Sequence, residues 1–132
     1  EDSLEVVRAA QEDGIVPGGG SALLCASRGL VIVTEDSHSD QGIGASVIQA
    51  ACKEPIRQMS LNSGASPDII ISQVEQAEPG VGWDFRSENL KDLIKSGIID
   101  PVKVTKSALK NAASCAGTLI TTNYAIIQTE QD

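Results

Sequence analysis

Few residues of this 132-residue chain have types and spacing that could do chemistry. Three consecutive glycines, Gly18–Gly20, stand between Pro17 and a segment rich in alanine and leucine. Because glycine has no Cβ and tolerates any backbone angle, such a run is either a flexible lead-in to a helix or a place where backbone approaches a ligand closely. It is not a Walker loop, since Gly-x-x-x-x-Gly-Lys-Ser/Thr is absent. The residues alone leave both interpretations open.

A second candidate is Asp100, which is followed by apolar residues spaced for one face of a long helix. Gly97 precedes it, and glycine suits the left-handed residue that ends a helix. The pattern predicts that the Asp100 side chain caps the final helix. It also predicts that Pro101 takes the first helical position, where its missing N–H costs nothing.

Thiols and imidazole give little support to a metal site or a nucleophile. Cys25, Cys52 and Cys115 are odd in number and far apart, without a Cys-x-x-Cys pair, which is typical of reduced thiols in a cytosol-like compartment. Cys52 and Cys115 occupy apolar helix positions, so we expect both to be buried. His38 is the only histidine, which argues against a zinc site or a Ser-His hydrolase.

Composition excludes several further classes. The net charge of −8 argues against nucleic acid or an anionic membrane as a partner, because either needs a basic face. No apolar run approaches the roughly 20 residues of a membrane span, and we expect no signal peptide. With 41% hydrophobic but only 2% aromatic residues, the predicted core is aliphatic, as in packed helices. A length of 132 residues allows one domain at most.

The elements that must position these residues are mostly helical. Apolar spacing and capping signals predict six helices: one ending at Gly14, one over 21–33, one over 42–61 interrupted at Pro55, one starting at 66–68, one over 90–96 capped by Ser87, and the last after Asp100. Residues 30–33 fit a strand equally well, and 80–85 form a turn or short hairpin. The alternation over 123–128 predicts a strand.

Three segments carry a resemblance to a known family. Residues 97–109 read Gly-Ile-Ile-Asp-Pro-Val-Lys-Val-Thr-Lys-Ser-Ala-Leu. Residues 8–24 read Arg-Ala-Ala-Gln-Glu-Asp-Gly-Ile-Val-Pro-Gly-Gly-Gly-Ser-Ala-Leu-Leu, and residues 54–64 read Glu-Pro-Ile-Arg-Gln-Met-Ser-Leu-Asn-Ser-Gly. In their order and spacing they resemble the C-terminal part of the equatorial domain of group I chaperonins, the heat-shock ring chaperones.

The resemblance implies a mainly α fold with minor β, the C-terminal half of a chaperonin equatorial domain. Residues 1–132 would form a single partial domain, with residues 1–13 at the edge of the intermediate domain. The family's Gly-Asp-Gly-Thr-Thr phosphate loop and its magnesium-binding aspartate belong to the N-terminal half, so this segment is expected to supply no metal ligand.

The resemblance also implies roles at an ATP site. Gly18 and Gly19 would lie against the adenine and ribose, Ile98 would pack on the base, and Asp100 would accept from ribose hydroxyls while also capping its helix. Asp2 aligns with the aspartate that orients the water attacking the γ-phosphate. From the residues alone, Asp2 is simply an acid that complements the dipole of a helix N-terminus.

One segment departs from the family pattern. The chain has Gly82-Trp-Asp-Phe where the family has Gly-Tyr-Asn-Ala, whose asparagine and alanine contact the adenine. Asp84 and Phe85 are therefore the matching ATP contacts, but Asp84 lacks the donors of an amide. Phe85 either stacks on the base or blocks it. Alternatively, Trp83 and Phe85 simply cover the core.

The implied function is that of an ATP-dependent ring chaperonin that assists the folding of other proteins. Its cofactors would be ATP and Mg²⁺, and the full-length ring would be an ATPase while the segment alone is inactive. Ring neighbours would be its partners, with unfolded polypeptides and a co-chaperonin bound through other domains, in the cytoplasm or an organelle matrix or stroma. The alternative is a free-standing, non-enzymatic interaction module whose strand 123–128 pairs with a partner's sheet edge.

Overall fold

The computed structural model describes residues 2–32 and 39–122, and this part of the chain is mainly helical with minor β, as predicted. Its elements, in chain order, are α1 (Asp2–Asp13), β1 (Ile15–Pro17), α2 (Ser21–Arg28), a 3₁₀ helix (Gly29–Ile32), α3 (Asp40–Ala51), α4 (Glu54–Asn62), α5 (Pro67–Gln76), β2 (Val81–Asp84), β3 (Asn89–Asp92), β4 (Ile99–Pro101) and α6 (Val102–Thr121). The strand predicted over 123–128 and the loop with His38 lie outside the described residues.

The chain divides into two compact units, one formed by Glu1–Gly14 with Pro101–Asp132 and the other by Ile15–Asp100. In the first unit α1 packs against α6. Lys103 Nζ lies 2.9 Å from Glu12 Oε2, and this hydrogen bond raises the pKa of the lysine above its usual range. A single partial domain over residues 1–132 stays a prediction.

The second unit has the aliphatic core that the composition predicts. One core cluster consists of the buried residues Leu24, Ile56, Ile70, Ile71 and Val74, and Ala65, Trp83 and Phe85 pack against it. Two ion pairs join the helical hairpin of α4 and α5: Lys53 Nζ lies 3.0 Å from Glu75 Oε1, and Arg57 Nη1 lies 3.2 Å from Asp68 Oδ1. The aromatic rings of Trp83 and Phe85 cover this core, which is one of the two interpretations that the sequence left open.

The helix predicted over 42–61 is interrupted, as expected from Pro55. Its first part, α3, begins at Asp40 and is capped by the Ser39 hydroxyl, which accepts from the Gly42 N–H at 3.1 Å. It ends before Cys52, and α4 starts with Pro55 in its first turn, where the missing N–H costs no helical hydrogen bond. Upstream, the segment over 21–33 continues past α2 as the 3₁₀ helix and not as a strand.

The helix predicted over 90–96 with a Ser87 cap is wrong. β3 occupies the start of that segment and pairs antiparallel with β2, with Asp84 opposite Asn89. The Ser87 hydroxyl donates to the Asp84 carboxylate instead of capping a helix. Local apolar spacing fits both structures, and the cross-strand partner decides between them because a strand is stabilised by its neighbour.

The predicted Asp100 cap is also wrong. β4 keeps Asp100 extended, α6 begins one residue later than expected, at Val102, and no side chain caps it. The Val102 N–H, one of the unpaired donors of the helix start, is satisfied by the Gly14 carbonyl oxygen at 3.1 Å. A backbone acceptor distant in sequence therefore replaces the local carboxylate.

One of the two cysteine predictions fails. Cys52 is buried, and burial raises the pKa of its thiol. Cys115 is exposed, because α6 has no buried residue within the described chain. None of the described helices is both long enough and apolar enough to span a bilayer.

Candidate functional site

The site is built around the glycine turn, Gly18–Gly20, which connects β1 to α2. The Gly18 N–H donates to the Ile98 carbonyl oxygen at 2.9 Å. A Cβ added to Gly18 would lie 3.3 Å from the Ile98 carbonyl carbon and Cγ2, so the two backbones approach more closely than a side chain comfortably allows. Two residues that the sequence assigned to one ligand are thus adjacent.

The next two glycines bring other segments to the same turn. Gly19 has φ 66°, and its Cβ position lies 3.3 Å from the Trp83 carbonyl oxygen, which places the end of β2 beside the turn. Gly20 has φ 77°, and its Cβ position lies only 2.9 Å from the Ile56 backbone nitrogen. The sequence analysis assigned no ligand contact to Gly20. Its position directly before a helix was the only indication that its backbone conformation is constrained. Its role is to bring the turn onto the core.

Asp100 is connected to the site by strand pairing. It lies on β4, which pairs with β1, the strand that leads into the glycine turn. Its side chain is exposed, and within residues 2–32 and 39–122 its carboxylate has no hydrogen-bond or ion-pair partner. An ionised carboxylate in that state can accept two or more hydrogen bonds from a ligand.

Asp84 is engaged within the protein. Its Oδ1 accepts from the Arg86 N–H at 2.9 Å, and its Oδ2 accepts from the Ser87 hydroxyl and lies 3.1 Å from Lys91 Nζ. The Ser87 hydrogen bond, followed by those from Arg86 and Lys91, lowers the pKa of this buried carboxyl from 3.8 to about 2. The carboxylate is therefore ionised and holds the turn between β2 and β3 in place.

Phe85 is half-buried and packs against the aliphatic core, as Trp83 does. Its position after β2 puts it one residue beyond Asp84, in the same turn. The roles of Phe85 and Asp84 as ATP contacts stay predictions.

Asp2 belongs to the other unit, where it is the first residue of α1. Its catalytic role stays a prediction. Across the described ranges, no cluster of three or more His, Cys, Asp or Glu side chains is arranged to hold a metal ion.

Sequence reasoning missed two partners of Asp84, namely Ser87 and Lys91. Lys91 lies opposite Gly82 in the β2–β3 hairpin, which brings its ammonium to a carboxylate seven positions earlier in the chain. The predicted helix over 90–96 concealed this pairing. The only local signal was the sequence Asp-Phe-Arg-Ser, in which an aspartate two to three residues before polar donors favours a turn.

Comparisons with known proteins agree on one family. A model of the TCP-1/cpn60 chaperonin family matches residues 1–130. Among solved structures, the chain is similar to a group III chaperonin in the open state, with 28% sequence identity and a TM-score of 0.79. The match covers 89% of this chain and 25% of that one, so the chain spans about a quarter of the length of the matched protein.

Proposed function

This chain belongs to the TCP-1/cpn60 chaperonin family, and from that premise we propose that it is part of an ATP-dependent ring chaperonin that assists the folding of other proteins. The chaperonin role follows from the family and from the similar structure. Membership of group I stays a prediction, because the similar structure is a group III chaperonin.

The observation that best supports an ATP site is the meeting of backbones at the glycine turn. Gly18, Gly19 and Ile98, which the resemblance assigns to the adenine and ribose, lie together. The Asp100 carboxylate, without a partner among the described residues, is on the paired strand. In this proposal the glycines, which have no side chains, allow the nucleotide to contact the backbone directly. Ile98 packs on the base, and the Asp100 carboxylate accepts hydrogen bonds from the ribose hydroxyls.

Hydrolysis needs groups beyond this turn. Asp2 would orient the attacking water, and Mg²⁺ would neutralise charge on the phosphates through a ligand expected in the N-terminal half of the domain. We therefore propose that the full-length ring is the ATPase and that the 132-residue segment alone is inactive. Turnover by the purified segment at the per-subunit rate of the full protein would refute this.

The test of the ATP site uses the full-length protein. Millimolar ATP should raise its melting temperature, since a ligand that binds the folded state stabilises it by mass action. Asp100→Ala should abolish the shift, because it removes the ribose acceptor. Asp13→Ala, which removes an exposed carboxylate at the end of α1, is the matched control and should keep the shift. An unchanged shift in Asp100→Ala would refute the nucleotide role of Asp100.

The remaining proposals concern the whole protein. Its partners would be neighbouring copies in a homo-oligomeric ring, with unfolded polypeptides and a co-chaperonin bound by other domains. Its compartment would be the cytoplasm, or an organelle matrix or stroma.

The free-standing interaction module remains the second candidate, favoured by the internal engagement of Asp84 and the packing of Phe85 on the core. An antibody raised to this segment would separate the two on a blot of source lysate. A band several times larger than 13.8 kDa would support the ring ATPase, and a band at 13.8 kDa would support the module.

A further inference from the structure

We propose that Lys91 is a specificity-determining residue of the ATP site, whose ammonium is held by Asp84 and donates a hydrogen bond to a ring nitrogen of the adenine. The inference rests on the proposed function, because it takes the glycine turn as the place where the nucleotide binds. It assigns a ligand contact to a residue for which the sequence had predicted a helical position.

The hairpin register directs Lys91 toward the start of α2. Lys91 lies directly opposite Gly82, and opposed residues of an antiparallel pair share one face of the sheet. Asp84, two residues after Gly82, lies on the same face. A Cβ added to Gly82 would overlap the side chains of Leu93 and of Ser21, the residue directly after the glycine turn. The face that carries Lys91 is thus the one packed against the segment next to the turn.

The side chain of Asp84 is engaged within the hairpin. Both of its oxygens are engaged, by Arg86 N–H on one side and by Ser87 and Lys91 on the other. An ionised carboxylate is also an acceptor only, whereas the ring nitrogens of adenine need a donor. Asp84 is therefore the residue that positions Lys91.

Lys91 has the donor that Asp84 lacks. Its ammonium carries three N–H groups, of which the pairing with Asp84 at 3.1 Å uses one. The side chain keeps 38% of its surface exposed, and among residues 2–32 and 39–122 it has no other partner. Phe85, the other side chain at this end of the hairpin, packs on the core and is apolar. Lys91 thus carries a cationic donor on the hairpin face that packs against Ser21, the residue directly after the glycine turn.

The experiment couples a change in Lys91 to a change in the ligand. The full-length protein, with and without Lys91→Met, is titrated with ATP and with its 1-deaza, 3-deaza and 7-deaza analogues, each of which replaces one ring nitrogen by C–H. We expect the wild-type protein to bind one analogue about tenfold more weakly than ATP, because that analogue cannot form one charge-assisted hydrogen bond. Lys91→Met should bind ATP and that analogue equally, since the donor is gone.

Two further variants complete the design. Lys91→Arg keeps a cationic donor and should restore the preference for ATP. Lys95→Met removes an exposed lysine of the turn after β3, 4.0 Å from Asp92, and should behave as wild type. A merely structural role would lower the affinity for all four nucleotides alike.

The outcomes separate the inference from the proposed function. Equal binding of ATP and all three analogues by wild type would overturn the role of Lys91, even if Lys91→Met failed to fold. An identical preference in wild type and Lys91→Met would also overturn it. Absence of ATP binding by wild type would overturn the ATP site itself.

Discussion

At the scale of single residues, Asp84 shows how neighbours decide what a carboxylate does. Its sequence position suggested a ligand contact, but hydrogen bonds from Ser87 and Arg86, with the ammonium of Lys91, make it part of the hairpin. Asp100 is the converse case. Its sequence position suggested a helix cap, but it caps no helix, and across residues 2–32 and 39–122 its exposed carboxylate has no partner.

The bonds to Asp84 predict a pH dependence of stability. Its pKa is depressed in the folded state, so its contribution is fully present above the unfolded value of 3.8 and is lost as the pH falls toward about 2. In Asp84→Asn the free energy of unfolding should therefore fall less steeply over this pH range than in wild type. Urea denaturation at a series of pH values measures the slope, and equal slopes would contradict the prediction.

The glycine turn predicts a large difference between two alanine substitutions. Gly20 has φ 77°, and a Cβ there would lie 2.9 Å from the Ile56 nitrogen, whereas Gly29 has φ −68° with no atom within 4 Å of its Cβ position. Gly20→Ala should lower the free energy of unfolding by about 3 kcal/mol through strain and overpacking. Gly29→Ala should instead raise it by about 0.4–1 kcal/mol, because alanine fits this backbone without strain. Similar unfolding midpoints in denaturant would show that the turn is not constrained as described.

At the scale of elements, local signals succeeded where an element is stabilised by its own residues. The proline and acid at the start of α5 and the proline of α4 were recognised because their effect is within one turn. Local signals failed for β3, because this strand is stabilised by pairing with β2, a separate segment. They also failed at the start of α6, whose first N–H binds the Gly14 carbonyl, far away in the sequence.

Two glycines in or near α6 test the backbone description of these elements. Gly117 lies inside α6, exposed and with no atom within 4 Å of its Cβ position, whereas Gly97 has φ 74° in the turn before β4. Gly117→Ala should stabilise the helix by about 1 kcal/mol, because alanine loses less backbone entropy than glycine. Gly97→Ala should cost about 1 kcal/mol or more, since alanine disfavours positive φ. Changes of the same sign in urea denaturation would contradict this assignment.

At the scale of the molecule, the chain carries more apolar surface than two small units can bury. Leu119 and Ile120 of α6 are 71% and 82% exposed, and Leu4 of α1 is 67% exposed. A chain that spans about a quarter of the matched chaperonin is expected to leave such faces uncovered when it is studied alone.

We therefore expect the purified 132-residue segment to self-associate in a concentration-dependent way. Replacing Leu119 and Ile120 by lysine should shift sedimentation toward the monomer, because it places charge on the apolar end of α6. Lys106→Arg, which keeps the charge of an exposed position on the same helix, is the control and should leave association unchanged. A segment that is monomeric and melts cooperatively would contradict the expectation.

The sequence by itself determined the family, the mainly helical class and the cluster of candidate residues around Gly18 and Asp100. The class follows from composition and helical spacing, which act through adjacent residues, and the family and the candidate residues follow from the resemblance of three segments. Only the tertiary structure decided that Asp84 is engaged by Lys91, that the Asp100 carboxylate has no partner within the described residues and that Gly20 lies against Ile56. These outcomes depend on contacts between segments distant in the chain, whose free energies no local pattern encodes.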